Sequence, residues 1–176
     1  KCKSRLERIP EILKRFRQSV LADACSGKLT EDWREENGVS LKASNVEAGK
    51  IVSDEPYELP ESWAWVYVDD IADVQGGIQK QPKRKPLKNR YPFLRVANVL
   101  RGRLDLAEIH EVELFAGELE RFRLVKGDVL VVEGNGSFSE IGRSAIWDGS
   151  IKDCVHQNHI IRVRPVKCHP RYFDYY

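Results

Sequence analysis

Methionine is missing from all 176 residues, position 1 included, so a piece of a longer protein is the expectation. Long apolar runs are missing as well: none approaches the ~20 residues that cross a bilayer, and no membrane partner is expected. The start, Lys-Cys-Lys-Ser-Arg, leads into a charged stretch, not into the apolar core of a secretory leader. The four cysteines, Cys2, Cys25, Cys154 and Cys168, include no Cys-x-x-Cys pair. Free thiols in a reducing cytoplasm are the consistent reading. Cys154, His156 and His159 resemble half a zinc site, but the other half would be Cys168-His169, and that spacing fits no common zinc module. No metal is expected.

Catalytic signatures are equally scarce. Gly142 is followed by Arg143-Ser144, not by the Lys-Ser/Thr that closes a Walker loop. A dinucleotide fingerprint opens a helix, whereas Arg143 to Trp147 reads as a strand. There is no Gly-x-Ser-x-Gly elbow. Asp128 and Glu133 suggest a metal-dependent nuclease, but the lysine required two residues after the glutamate is Asn135, so Asp128 is assigned to a turn. No Asn/Asp-Pro-Pro-Tyr/Phe loop of an adenine methyltransferase is present. His156 and His159 have no evident acid–base partner. The chain is not expected to be an enzyme.

What the sequence does have is segregated charge. The formal net charge is only +2, yet Lys80 to Arg103 holds nine Lys or Arg and no acid. Asp105 to Glu120 then holds six acids and no Lys or Arg. Such blocks say more about a partner's sign than the average does.

The clearest element is a helix over Ser4 to Ser26. Leu6, Ile9, Leu13, Phe16 and Val20 recur at 3-4-3-4 spacing, a seam suited to packing on another helix. Pro10 removes a helical donor, so the helix starts or kinks there, and Gly27 is placed to end it. At little more than two heptads the helix is marginal alone and needs a partner. Lys28 to Gly38 reads as a polar turn with Trp33 docked locally, and 28–58 as a linker. A second domain is expected over 59–176. Its elements are a strand over Ala64 to Val68, a helical turn over Asp69 to Val74, a basic loop to Tyr91, a strand over Pro92 to Val99 and a helix over Glu113 to Leu124. A glycine-rich hairpin follows over Leu124 to Trp147, then a strand over His159 to Val163 and the first turn of a helix from Arg171. The fold class is α+β: a long N-terminal helix, half of a coiled coil, then a globular domain with a strongly twisted mixed sheet and short helices.

These features favour nucleic-acid binding. Lys80, Lys83, Arg84, Lys85, Lys88 and Arg90 sit on a loop where they can neutralise phosphates. Arg95, Asn98, Arg101 and Arg103 follow, and Arg and Asn are the residue types that pair bidentately with guanine and adenine. Asn135, Ser137, Ser139 and Arg143 on the hairpin are candidates for base edges or phosphates, while Gly134, Gly136 and Gly142 set its turn. Gln157-Asn158-His159 reads as a cap on the last strand in preference to a reading edge. Two alternatives stay open: a protein-interaction module built on the helix, and a metal-dependent nuclease.

Several stretches in order resemble the specificity subunit of type I restriction–modification systems. Phe16 to Trp33 resembles the end of that family's spacer helix, and Leu59-Pro-Glu-Ser-Trp63 the start of a target recognition domain. Tyr91 to Val99, Leu124 to Leu130, Gly142-Arg143 and Gln157 to Val163 follow the family pattern, which covers nearly the whole chain outside Lys80 to Arg90. The resemblance implies a non-catalytic reader of double-stranded DNA. In the family, two recognition domains each read half of a split target, and two antiparallel helices set their separation. Methyltransferase subunits carrying S-adenosylmethionine and a motor subunit using ATP and magnesium would be the partners. This chain would then hold the end of the central spacer (1–27) and one recognition domain (59–176), cut before its next helix, with self-association through the seam as a further expectation.

Overall fold

The computed structural model describes residues 6–37, 55–134 and 137–176, and divides the chain into two compact units. One comprises residues 1–67 with Tyr176, the other Val68–Tyr175. The division thus falls after Tyr67, where the sequence reading set it before Leu59.

In the first unit, α1 spans Ile9–Cys25, with Pro10 in its first turn, where the missing N–H is no loss. Its end is closed by the Ser26 N–H donating to Ala22 O at 2.9 Å. Gly27 follows at φ +80°, and a Cβ there would stand 2.6 Å from Pro60 Cγ, so conformation and space both demand glycine. A 3₁₀ turn at Lys28–Thr30 and α2, Glu31–Glu36, occupy the stretch read as a polar turn. Trp33 does not dock; it is exposed, while Arg34 lies over the Trp63 ring at 5.9 Å. Most of the stretch 28–58, read as a linker, lies outside the described residues. Among seam residues, Leu6, Ile9, Leu13 and Phe16 are exposed, Phe16 at 66%, and Val20 is half-buried. Residues 64–67 form no strand: two aromatics hold this stretch instead, with Tyr57 and Trp65 edge to face at 4.9 Å.

The second unit opens with α3 (Val68–Ile71) and β1 (Ala72–Gly76), so the expected helical turn ends early and becomes a strand. β2 (Arg90–Leu94), β3 (Val99–Leu100), β4 (Arg103–Leu104) and β5 (His110–Glu113) follow, with a 3₁₀ turn at Val96–Asn98 interrupting the long strand read there. α4 is Glu118–Phe122, shorter than the window Glu113 to Leu124: Glu113 ends β5, Gly117 at φ +79° precedes the first turn, and Arg123 is already extended. β6 (Val129–Val132), β7 (Ser144–Ile146), β8 (Val155–His156), β9 (Ile160–Pro165) and α5 (Pro170–Tyr175) complete it.

The strands form separate sheets. One is wholly antiparallel in the order β1-β9-β6-β7; the other, β5-β2-β8, is mixed because β2 pairs β8 in parallel. β3 and β4 make a small hairpin. The glycine hairpin is the β6–β7 pair, Val129 opposite Ile146 and Val131 opposite Ser144. β6 is apolar at every position and buried at three of four, as a strand covered on both faces must be. Leu94, Val99, Leu130, Val132, Trp147 and Ile160 form the main core, and Ile78, Phe93, Val112, Leu114, Phe122 and Val155 a second cluster.

Candidate nucleic-acid interface

The basic loop between β1 and β2 is built by the acidic block that follows it in sequence. Glu113, buried at the end of β5, accepts the backbone N–H groups of Leu87 (2.7 Å), Lys88 (3.1 Å) and Asn89 (3.0 Å). These donors, Asn89 first, hold its carboxyl below the ordinary carboxylate range, since hydrogen bonds to a charged oxygen favour the charged form. Glu118, in the first turn of α4, takes a two-pronged contact from Arg84 at 2.7 and 2.8 Å. That bond depresses the Glu118 carboxyl and raises the Arg84 guanidinium. Arg90 stands 3.7 Å from Glu111, and Arg95 3.3 Å from Glu108. The two opposite blocks are therefore each other's partners, and a loop rich in Pro and Lys has a defined course.

This sorts the cations. Arg84 sits mostly inside, with its guanidinium 4.9 Å from the Phe115 ring, and is spent on the loop's own structure. Lys80, Lys83, Lys85 and Lys88 are exposed and form no ion pair among the described residues, although Lys83 lies 5.8 Å from the Phe115 ring. Arg90 is exposed beside Glu111. Below the loop lies a cleft of about 960 Å³ lined by Lys80, Arg84, Lys85, Arg95, Glu108 and His110, with the buried Phe93 also on its wall. Glu108 there accepts from His110 Nε2 at 2.8 Å, and this contact, followed by Arg95, lowers its carboxyl's affinity for a proton.

Two expected groove residues are corrected by their burial. Asn98 is 3% exposed; its Oδ1 accepts the Arg95 N–H, and its Nδ2 donates to Asp105 O and Glu108 O, all within 2.9 Å. Arg143 is 5% exposed and spans three segments: Nε donates to Val99 O at 2.6 Å, Nη2 to Val96 O at 3.0 Å, and Nη1 meets Glu140 at 3.1 Å. Both satisfy backbone carbonyls that folding would otherwise strand without water, and neither is presented to a ligand. Arg101 is exposed on the β3–β4 turn and donates to Ser139 O at 3.1 Å, tying that turn to the hairpin tip. Ser137 and Ser139 are exposed and bonded to each other at 2.9 Å. Asn135 and Gly136 lie outside the described residues. Gly142 has φ +76°, as a turn glycine should.

The remaining polar motifs serve the sheet. The Gln157 N–H donates to Leu94 O and the Asn158 N–H to Ile78 O, so this tripeptide fastens strand ends. His156 is fully buried; its Nδ1–H donates to Ile160 O at 2.9 Å, and burial pushes its pKa down to about 4. Cys154 is buried too, and desolvation pushes its thiol up to about 12, which suits a core residue better than a thiolate ligand. No group of three or more metal-ligating side chains converges among the described residues. Asp128 does sit in a turn, with Oδ2 accepting the Val125 N–H at 2.8 Å, and it also holds Arg164 through Nε at 2.7 Å and Nη2 at 2.9 Å. The arginine pair of β9 is legible only with the fold in hand: Arg162 meets Asp73 across the β1–β9 pairing, and no local pattern announces either partner.

Comparison with known proteins places this geometry in a family. No family model matches the chain. The specificity subunit of the type I restriction enzyme EcoKI from Escherichia coli K12 is 33% identical over 172 residues, 94% of this chain and 31% of that protein. The StySPI specificity subunit of Salmonella potsdam is 31% identical over 166 residues, 92% of this chain and 30% of that protein. Among solved structures, the HsdS subunit from Thermoanaerobacter tengcongensis aligns with a TM-score of 0.51 at 17% identity, covering 99% of this chain and 37% of that one, a likeness of fold. The chain thus spans about a third of the length of the curated relatives it matches. With its fold, its order of motifs and its sequence relatives in agreement, the chain belongs to the family of type I restriction enzyme specificity subunits.

Proposed function

We propose that this chain recognises duplex DNA in a sequence-specific way and contributes one half of a bipartite target to a type I restriction–modification complex. The observation that supports this most directly is the lysine loop. Lys80, Lys83, Lys85 and Lys88 are exposed and without ion pairs among the described residues, on a backbone whose course is set by Glu113 and Glu118. Four cations held in a fixed arrangement can track a phosphate backbone and release counterions from it. The cleft beneath them carries the more varied donors and acceptors that base reading requires. Arg90, Arg95, Arg101, Ser137, Ser139 and Asn135 remain candidate contacts; Arg84, Asn98 and Arg143 act through the frame.

In this reading, residues 59–176 are the recognition domain, with a strongly twisted sheet, and 28–58 a linker. Residues 1–27 are the end of a spacer helix, half of a coiled coil. The chain works in the cytoplasm without catalysis of its own and directs methyltransferase and restriction subunits, which bring S-adenosylmethionine, ATP and magnesium. No described helix is long and apolar enough to cross a membrane.

The test is binding to a panel of duplexes as a function of salt, with and without methyltransferase subunits. Replacing the four lysines by glutamine should reduce the slope of log affinity against log salt by about 3 to 4, near 0.9 per phosphate contact. A slope unchanged by that substitution, or no preference among duplexes, would sink the proposal. A helix-based contact is a separate component supported by the exposed seam. Leu13→Asp with Phe16→Asp should abolish self-association in sedimentation while leaving DNA affinity of the monomer intact.

A further inference from the structure

Glu108 is an anomaly in the cleft. Its side chain is 75% exposed among Lys80, Arg84, Lys85 and Arg95, where an acid opposes the approach of phosphate. A surface acid that only balanced Arg95 would have no need of further anchoring. Glu108 is anchored: Oε1 takes both the His110 contact at 2.8 Å and the Arg95 Nη2 contact at 3.3 Å. Its other oxygen, Oε2, and the second terminal nitrogen of Arg95, Nη1, form no hydrogen bond among the described residues. Arg95 is held in turn by its backbone, whose N–H donates to the buried Asn98 side chain and whose C=O accepts the Asn98 N–H. The cleft therefore presents a carboxylate acceptor next to the two terminal nitrogens of a guanidinium, with lysines on its rim.

That set of groups matches a base edge in the major groove. In the major groove a G·C pair shows guanine O6 and N7 as acceptors and the cytosine N4 amino group as a donor, side by side. An A·T pair shows its amino group in the middle, between N7 and the thymine carbonyl, so two adjacent guanidinium donors beside one carboxylate acceptor fit the G·C order and not this one, and a phosphate offers no donor at all. We propose that Arg95 and Glu108 read one G·C base pair jointly, Arg95 donating to guanine and Glu108 accepting from the cytosine amino group. His110 is a positioning residue for that carboxylate, and Lys80 and Lys85 hold flanking phosphates. The inference rests on the DNA-recognition reading above and names a specificity determinant within it.

Selection from a randomised duplex library, followed by affinities for the chosen duplex and each of its single base-pair variants, tests it on the complete chain. The wild type should show a position at which G·C is preferred by on the order of 10- to 100-fold. Glu108→Gln, at an exposed position that folding tolerates, should lose or move the preference at that position and leave the others unchanged. Arg95→Lys should weaken the same position, and His110→Asn should do so to a smaller extent. If Glu108→Gln instead raises or lowers affinity equally for every duplex, or changes nothing, Glu108 is only an ion-pair partner and the inference is overturned while DNA recognition stands. If the wild type has no preference at any position, both readings fall together.

Discussion

The sheet β1-β9-β6-β7 and the loop between β1 and β2 both carry dense charge, and they use it in opposite ways. In and beside the sheet the cations are arginines: Arg143, Arg162 and Arg164 meet carbonyls and the carboxylates of Glu140, Asp73 and Asp128. On the loop the exposed cations are mainly lysines, and the one arginine turned inward, Arg84, is the one that meets a carboxylate in two places. The difference follows from side-chain chemistry. A guanidinium offers a planar fork that satisfies several acceptors at once and is weakly hydrated; an ammonium is a compact, strongly hydrated charge best left in water. Which arginines hold this domain together, and which lysines stay in water, is thus decided by the same physical distinction.

Perturbing the sheet side should have the largest effect. Asp128→Ala leaves the Arg164 guanidinium and the Val125 N–H without their buried acceptor, and should lower unfolding stability by about 3–5 kcal/mol in urea titrations. Acid should act next through His156. Its folded pKa is depressed, so between its ordinary 6.5 and about 4 the unfolded chain binds a proton that the native state refuses. Stability should fall as pH drops through that window, by roughly 3 kcal/mol in total, and His156→Gln should flatten the slope. Arg143→Lys keeps the charge but cannot serve Val99 O, Val96 O and Glu140 together; about 2 kcal/mol should be lost by thermal unfolding. Substituting Lys80, Lys83, Lys85 and Lys88 by glutamine should change stability by less than about 0.5 kcal/mol, since exposed side chains away from structural features contribute little. A large destabilisation there would break the contrast between the two regions.

Much of the frame can be read from the sequence because its signals are local. Valine-rich Val129–Val132, the turn at Lys126-Gly127 and the return near Gly142 make the β6–β7 hairpin visible without any long-range information. The seam of α1 and its start beside Pro10 are visible for the same reason. The site is less legible. Asn98 and Arg143 are residue types that read bases, and only the folded backbone around them, Val99 O for Arg143 and Glu108 O for Asn98, reveals that both are internal. Glu113, read from its neighbours as the first residue of a helix, instead ends β5 because it pairs with Arg90 of β2. The charge blocks are visible as blocks, but alternation in sequence does not state that Glu113 will wrap the backbone of Leu87 to Asn89.

That last contact has an evolutionary consequence. Glu113 grips the loop through main-chain N–H groups, which every residue except proline supplies, so the shape of this part of the loop is independent of its side chains. Positions such as Leu87 and Lys88 are free to be rewritten without disturbing the scaffold that displays them. On the function proposed above, a domain wired in this manner would acquire a new target by changing a few exposed side chains, with no need to relearn how to fold.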